Sequence, residues 1–195
     1  PFALILDVGA RMRPTADDLV AWARMGVAYS SRISKVEAPT VALLNVGRDP
    51  RAGTPELIEA HARLAADTSI RFVGNIEGLD IPRGAADVIV TDGFTGQVIV
   101  GLLGGLSDTL MTAARGAYEK SLTWRMGLKL LEGAVVRFQE LIEHGAYGGA
   151  PLLGYDKNAI LALPTSGKSA LTNAIKLAAK ASRNDVPSAV GKSLL

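Results

Sequence analysis

The chain has 195 residues, 48% of them hydrophobic, and carries a formal net charge of +2. This length favours a single domain with a sizeable core, and the small, scattered excess of basic residues argues against a nucleic-acid partner. The lack of cysteine excludes disulfides, thiolate metal sites and cysteine nucleophiles. The sequence contains neither a signal peptide nor an apolar run of about 18 residues, so we expect no transmembrane helix.

Strands alternate with helices along the first half of the sequence. Thr15 is the predicted N-cap of the first helix, where Asp17 and Asp18 complement the helix dipole. We predict buried strands over residues 2–6, 41–47, 71–73 and 87–91, and a second helix over residues 56–66. This alternation predicts a mainly parallel sheet covered by helices on both faces.

Residues 2–6 are apolar, so the sequence begins almost directly in a buried strand. A natural protein rarely begins in a central strand of its own sheet. We therefore expect this chain to be one part of a longer protein. Residues 1–183 are predicted to form a single α/β domain, and residues 184–195 a flexible polar tail.

Each predicted strand of the sheet ends at a polar residue next to glycine. The four turns contain Asp7 with Gly9, Asn45 with Gly47, Gly74 with Asn75, and Asp92 with Gly93. Because parallel strands end at the same edge of a sheet, we expect a shared ligand cleft there. The last turn continues through Thr95 and Gly96, where backbone N–H groups can approach a ligand and a following helix favours an anion.

The second half of the sequence is predicted to be mostly helical. A long helical region spans residues 102–144, and its apolar residues recur with steps of three and four over residues 128–142. Core or dimer packing is the favoured role of that face, and an interfacial membrane contact is the alternative. A second glycine-rich segment, with Gly148 and Gly149, leads to a strand over residues 159–163, and a helix then extends to about Ala181.

The turn at residues 164–169 resembles a P-loop only in part. The motif requires a glycine at the position that Ala162 holds, which argues against nucleotide binding. Thr165, Ser166 and Lys168 at a helix N-terminus can instead hold a phosphate or another anion. The alternative is a helix cap followed by a solvated lysine.

The two histidines indicate no metal site. His61 is predicted to be a surface residue of a helix near Arg63, and His144 to lie at a helix C-terminus, where a basic residue suits the dipole.

Three polar side chains at the strand ends are candidates for chemistry. Asp7 and Asp92 either act as acid/base groups or ligand-positioning groups, or cap the turns in which they lie. Asn75 either donates from its amide to an oxyanion or occupies a strained turn.

Five motifs of the sequence occur in an order known from one protein family. They are Asp7-Val8-Gly9-Ala10, Leu43-Leu44-Asn45-Val46-Gly47, Phe72-Val73-Gly74-Asn75-Ile76-Glu77-Gly78, the stretch over residues 87–96, and the stretch over residues 147–154. Together they resemble the phosphate acyltransferases of bacterial phospholipid synthesis, the PlsX family, over residues 2–175. The resemblance implies a three-layer α/β/α fold similar to those of the isocitrate/isopropylmalate dehydrogenases and the phosphotransacetylases.

The resemblance also implies a reaction, in which acyl-[acyl carrier protein] and inorganic phosphate give acyl phosphate and free carrier. It implies no cofactor and no obligate metal, a cytoplasmic homodimer, and peripheral association with the inner face of the membrane. It makes this chain the C-terminal part of the enzyme. We predict Asp7, Asn75 and Asp92 as catalytic residues. The predicted substrate- and phosphate-binding residues are Gly9, Arg11, Asn45, Gly47, Gly74, Gly93, Thr95, Gly96, Gly148, Gly149, Thr165, Ser166 and Lys168.

Three parts of the presumed cleft depart from the family pattern. Arg11 stands where the family usually has asparagine, residues 52–57 replace a Lys-Gly-Asn-Glu-Leu loop, and residues 163–166 replace His-Gly-Ser-Ser. Arg11, Arg51 and Lys168 are the candidates to supply the lost positive charge. Two alternatives stay open: an altered or inactive homologue that binds a phosphorylated ligand or lipid-synthesis partners, and a phosphotransacetylase-like enzyme that uses acyl-CoA.

Overall fold

The structure, a computed structural model, describes residues 3–120, 123, 126, 133, 149–162 and 167–195. Several predictions fall outside these residues: the apolar stripe over residues 128–142, His144, Gly148, Thr165 and Ser166.

Four parallel strands form the main sheet, in the order β1-β4-β2-β3. They are β1 (Leu4–Leu6), β2 (Thr40–Leu44), β3 (Arg71–Ile76) and β4 (Val88–Val90). In β4, Val88 pairs with Leu4 on one side and with Val41 on the other. The predicted α/β class with a parallel sheet is therefore confirmed.

Five α-helices belong to the described part of the chain. They are α1 (Ala16–Tyr29), α2 (Pro55–Ala66), α3 (Gly93–Lys120), α4 (Lys168–Arg183) and α5 (Val186–Ser193). A π-helical turn (Ser30–Ser34) extends α1, and a 3-10 turn (Gly78–Asp80) follows β3. Strands β5 (Ala150–Leu152) and β6 (Ala159–Leu161) form a separate antiparallel hairpin. Strand β6 lies within the strand predicted over residues 159–163, whereas β5 and its pairing with β6 were not predicted.

The start of α1 follows from its local sequence. The Thr15 hydroxyl accepts a hydrogen bond from the Asp18 backbone N–H at 3.2 Å, and the Asp18 carboxylate accepts one from the Thr15 N–H at 2.8 Å. This capping box satisfies N–H groups that have no partner inside the helix. The prediction that Thr15 caps the helix is confirmed.

Apolar side chains cover both faces of the sheet because successive residues of a strand point to opposite sides. On one face, Val41 and Val88 pack with residues of α1 and α2, including Leu19 and Leu64, and all four are almost fully buried. The opposite face is lined by a second cluster, consisting of Ala42, Leu44, Ile76, Ala86 and Ile89, with the partly buried Ile99 of α3 against it.

Helix α5 corrects the prediction of a flexible tail. Its residues Val186 and Val190 are buried with Tyr29, Ile33 and Ala181 in a third cluster, against the end of α1. Burial also raises the pKa of the Tyr29 hydroxyl to about 12. The prediction relied on the polar, small-residue composition of the tail. It overlooked that Val186 and Val190 are four residues apart, the spacing that places them on one helix face.

Two other boundaries differ from the sequence prediction. Strand β3 extends to Ile76, so Gly74 and Asn75 lie within the strand rather than after it. Helix α3 begins at Gly93, ahead of the predicted start at Leu102, so the glycine-rich run belongs to the helix. Glycine weakens a helix by only about 1 kcal/mol per residue, which the rest of this long helix outweighs.

Helix α3 is also long and apolar enough over Gly93–Glu119 to cross a membrane, judged by length and composition alone. The sequence predicted no such segment, because charged and small residues interrupt every apolar run. Large apolar side chains are exposed along it at steps of four, namely Val98, Leu102, Leu106 and Leu110.

Candidate functional site

The carboxyl ends of the four strands lie at one edge of the sheet, where they form two pairs. Strands β1 and β4 are neighbours, and the Asp7 N–H donates to the Thr91 carbonyl at 2.9 Å. Strands β2 and β3 are neighbours too, and the Asn45 N–H donates to the Ile76 carbonyl at 2.9 Å. The predicted edge therefore exists, with β4 and β2 joining the two pairs.

The turns after β1 and β4 are in direct contact. The Gly93 N–H donates to the Arg11 carbonyl at 2.8 Å. A Cβ atom at Gly93 would lie 2.8 Å from both the Arg11 carbonyl and the Asp7 carboxylate, and one at Gly96 would overlap the Asp7 carbonyl. Glycine is required at both positions because the two backbones approach too closely for a side chain.

The two aspartates of this pair hold their turns. Both carboxylate oxygens of the buried Asp7 accept backbone N–H groups, from Ala10 at 3.1 Å and from Arg11. The Asp92 carboxylate accepts the Thr95 N–H at 2.9 Å, in the first turn of α3. These are the contacts of turn caps, one of the two roles that the sequence left open. Their role as acid/base groups stays a prediction.

Arg11, the predicted replacement cation, is engaged with a partner. Its guanidinium pairs with Asp18, and that hydrogen bond raises the pKa of Arg11. Partial burial of Asp18 disfavours its charged form, but hydrogen bonds from Arg11 and Thr15 outweigh it and lower the pKa of Asp18. The pair joins the turn after β1 to the first turn of α1.

The turn after β2 is held by its own asparagine. The Asn45 side-chain N–H donates to the Ala52 carbonyl at 2.9 Å, and its side-chain oxygen accepts the Val46 N–H at 2.8 Å. Gly53 has a φ of +91°, and a Cβ there would press on the Asn45 side chain. We call residues 46–53 the β2 loop; it includes the predicted site residue Gly47.

Asn75 contacts this loop from β3. Its side-chain N–H donates to the Asp49 carbonyl at 2.8 Å, and its side-chain oxygen lies 2.9 Å from Nδ1 of His61. Gly74, with a φ of +93°, takes the strained backbone conformation that the sequence assigned to Asn75 as one alternative. Asn75 is buried, and its amide ties β3 to the β2 loop. Its role as a donor to an oxyanion stays a prediction.

His61 is not the surface residue that the sequence predicted. It is half-buried, its ring packs edge-on against Phe72 with the ring centres 5.1 Å apart, and it contacts Asn75. Helical periodicity alone did not reveal this, because its partners lie on the next strand. Arg63, by contrast, is exposed and pairs with Asp17 and Glu59.

Two further arginines of the β2 loop are paired with carboxylates. Arg48 makes two 2.8 Å hydrogen bonds to the buried Asp80, whose carboxylate also caps the 3-10 turn. Arg51 is 87% exposed and pairs with Asp49, and this hydrogen bond lowers the pKa of Asp49. Of the predicted replacement cations, Arg11 and Arg51 are thus ion-paired.

Lys168 and Gly149 lie on other elements, whereas Gly9 belongs to the turn after β1. Lys168 is exposed at the first position of α4, after Gly167 as N-cap, and Gly149 precedes β5, where a Cβ would lie 2.6 Å from the Leu161 carbonyl. Gly9 follows Asp7 with a φ of +127°. Among the described residues, no group of three His, Asp or Glu side chains is placed to hold a metal.

A separate cavity of about 730 Å³ lies between the β5–β6 turn and α5. Tyr155, Lys157 and Asp185 contribute its polar lining. It contains none of the predicted site residues.

The fold defines a parallel α/β protein with glycine-containing turns at one edge of its sheet, the edge at which such folds bind ligands. The chain belongs to the family described as "Fatty acid synthesis protein", whose model matches residues 1–189. The family resemblance found in the sequence is thereby confirmed.

Curated relatives support the same assignment. A phosphate acyltransferase of Brevibacillus brevis is 38% identical over 191 residues, which are 98% of this chain and 57% of that protein. Phosphate acyltransferases of Thermodesulfovibrio yellowstonii and Moorella thermoacetica are 33% and 36% identical, over 98% and 96% of this chain and 55% of each relative. The chain spans little more than half the length of these relatives.

Proposed function

We propose that the protein carrying this chain is a phosphate acyltransferase that converts acyl-[acyl carrier protein] and inorganic phosphate to acyl phosphate for phospholipid synthesis. The names of the relatives support this assignment. The observation that carries it is the contact between the turns after β1 and β4, through the hydrogen bond from Gly93 to Arg11.

This contact brings unused backbone donors to one edge of the sheet. Among the described residues, the N–H groups of Val8, Gly9 and Phe94 have no hydrogen-bond partner, whereas those of Ala10, Arg11 and Thr95 are taken by the two aspartates. Unused N–H groups beside the N-terminus of α3 suit an anion. We infer that Asp7 and Asp92 act by shaping these turns.

The proposed reaction requires groups that bind anions, and the unused backbone N–H groups at this edge of the sheet can supply them. A phosphate oxygen attacks the thioester carbonyl, a tetrahedral oxyanion forms, the carbon–sulfur bond breaks, and the carrier leaves as a thiolate that takes a proton from water. The site must hold a dianion in line with the carbonyl and stabilise the oxyanion. Neither task needs a covalent enzyme intermediate, which agrees with a chain that has no cysteine.

The test is an assay of the protein carrying this chain with acyl-[acyl carrier protein] and phosphate. Free carrier thiol and hydroxylamine-trapped acyl phosphate should appear in equal amounts and only when phosphate is present. The variant Gly96→Ala, which crowds the contact, should lose at least tenfold in rate at a temperature where circular dichroism shows it folded. Gly101→Ala in the same helix, with open space around it, is the matched control. Equal rates for the two variants would show that the contact between the two turns is not part of the catalytic site.

The two alternatives are separated by the same assay. A phosphotransacetylase-like enzyme would turn over short acyl-CoA faster than acyl-[acyl carrier protein]. A binding homologue would form no acyl phosphate above background, while phosphate would still protect the protein against thermal unfolding.

The role of the replacement cations is also testable. Arg11→Ala and Lys168→Ala should each raise the KM for phosphate if these residues supply the charge that the family pattern places in the cleft. Unchanged phosphate dependence in both variants would reject that role.

We further propose a cytoplasmic homodimer with acyl carrier protein as partner and peripheral membrane association. The exposed apolar side chains of α3, namely Val98, Leu102, Leu106 and Leu110, support a helix face that needs a partner surface. Sedimentation equilibrium should give twice the protomer mass, and vesicle co-sedimentation should recover protein without detergent. A monomer in the first experiment rejects the dimer.

A further inference from the structure

Three sets of hydrogen bonds hold the β2 loop in place. Asn45 holds its Ala52 end, Asn75 holds its centre at Asp49, and Arg48 reaches out to Asp80. A loop with such ties is preorganised, because its backbone carbonyls have fixed donors rather than water. The hydrogen bond from Asn75 to the Asp49 carbonyl is itself supported by a further residue.

That supporting residue is His61, on α2. The Asn75 side-chain N–H is committed to the Asp49 carbonyl, so the side-chain atom facing His61 is an oxygen, which can only accept. Nδ1 of His61 must therefore carry the hydrogen and donate across the 2.9 Å contact. Phe72 packs against the ring and limits its rotation.

The Asp49 carbonyl sets the orientation of the Asn75 amide, because a flipped amide would place its oxygen against that carbonyl. In this orientation the Asn75 oxygen faces His61, and the Nδ1–H donor holds the side chain in place. We propose that His61 is a positioning residue, which fixes the Asn75 amide and through it the position of the β2 loop beside the substrate edge. The neutral Nδ1–H form and the imidazolium both supply this donor.

The kinetic consequence rests on the proposed acyl transfer, whereas the structural consequence does not. The β2 loop follows β2, whose neighbour β4 leads into the turn at Asp92, so the loop borders the proposed phosphate site. A loosened loop would weaken binding of substrate more than the chemical step. Loss of the His61 donor should therefore raise KM for phosphate or acyl carrier while kcat changes less.

Two variants of His61 separate the donor from the bulk of the ring. Asparagine places its side-chain N–H near the position of Nδ1, so His61→Asn keeps the donor. His61→Leu keeps a similar volume without any donor. The two variants share the loss of the Phe72 ring contact. Asparagine is the smaller residue and the weaker helix former, and both differences favour opening of His61→Asn, so slower cleavage of His61→Asn than of His61→Leu reports the hydrogen bond.

The structural experiment is limited trypsin digestion of the protein carrying this chain, with the new N-terminus at Ala52 measured by mass spectrometry. Cleavage after the exposed Arg51 requires local opening of the loop, so its rate follows the open population. With one hydrogen bond lost, His61→Leu should be cleaved roughly five to tenfold faster than wild type, and His61→Asn should lie within about twofold of it. A double variant, His61→Leu with Asn75→Ala, should be no faster than Asn75→Ala alone.

The outcomes are distinct. Equal cleavage of wild type and His61→Leu overturns the positioning role whatever the activity of the protein. Faster cleavage with unchanged KM for both substrates overturns the link between loop and site. A wild-type protein without acyl transfer rejects the proposed function and leaves the digestion result standing as evidence on the loop.

Discussion

Replacing Gly96 by alanine provides a direct test of the contact between the turns after β1 and β4. In most helix positions this change stabilises a protein, by up to about 1 kcal/mol, because alanine is the better helix former. At Gly96 the new Cβ would overlap the Asp7 carbonyl and lie 3.0 Å from its carbon, and both atoms belong to backbone that cannot rotate away. Overpacking of this kind costs about 1–3 kcal/mol.

Gly101 is the matched control in the same helix. A Cβ atom added there would meet no neighbouring atom within 4 Å, and the residue is exposed. Gly101→Ala should therefore gain a few tenths to about 1 kcal/mol, while Gly96→Ala should lose about 1–2 kcal/mol after its propensity gain is set against the overlap. The two variants should differ in sign.

Urea denaturation followed by circular dichroism at 222 nm measures this difference. With an m-value of about 2 kcal/mol/M, the two midpoints should be separated by roughly 0.7–1.5 M. The m-values must agree for the midpoints to be compared. A Gly96→Ala midpoint equal to or above that of Gly101→Ala would refute the close approach of the two turns, and with it the geometry on which the proposed anion site depends.

Three other substitutions have defined outcomes. The Asp87 carboxylate accepts hydrogen bonds from the N–H and hydroxyl of Thr40 at 2.8 and 2.7 Å, and the backbone hydrogen bond is the main cause that lowers its pKa. The charged Asp87 carboxylate stabilises the fold above the ordinary pKa of about 3.9, and this stabilisation is lost as pH falls through the lower folded value. Asp87→Asn should therefore flatten the decline of the urea midpoint below about pH 4. An unchanged decline at acid pH would contradict this. Leu64→Ala removes a side chain with no exposed surface and should cost about 2–5 kcal/mol in urea unfolding, whereas a loss under about 1 kcal/mol would mean that the core collapses around it. Asp92→Ala removes the acceptor of the Thr95 N–H and should cost about 1 kcal/mol, measured as a fall in Tm, while retention of the wild-type Tm would deny the cap.

Local patterns of the sequence were sufficient for the elements of the first half. The capping box at Thr15 depends on residues three apart, and the burial of Leu64 depends on helical spacing within α2, so both are readable from a short window. The parallel order of strands and helices likewise predicted that Asp7 and Asp92 lie at one sheet edge.

Long-range contacts were not readable in the same way. His61 looks like a surface residue of α2 until β3 places Asn75 and Phe72 beside it. The packing of Val190 against Tyr29 joins residues far apart in the sequence, so composition alone predicted a frayed tail. Which carboxylate pairs with Arg11 also depended on the fold, and the sequence could offer it only as a candidate cation.

The strand order has a consequence for how the chain folds. Strand β1 pairs with β4, with Leu4 opposite Val88, although β2 and β3 lie between them in the sequence. During synthesis, the pairing of β1 with β4 must therefore wait until β4 has left the ribosome, whereas β2 and β3 can pair beforehand. We expect the β2–β3 unit to form first and the turn at Asp7 to be built last, so that the proposed anion site appears only when the sheet is complete.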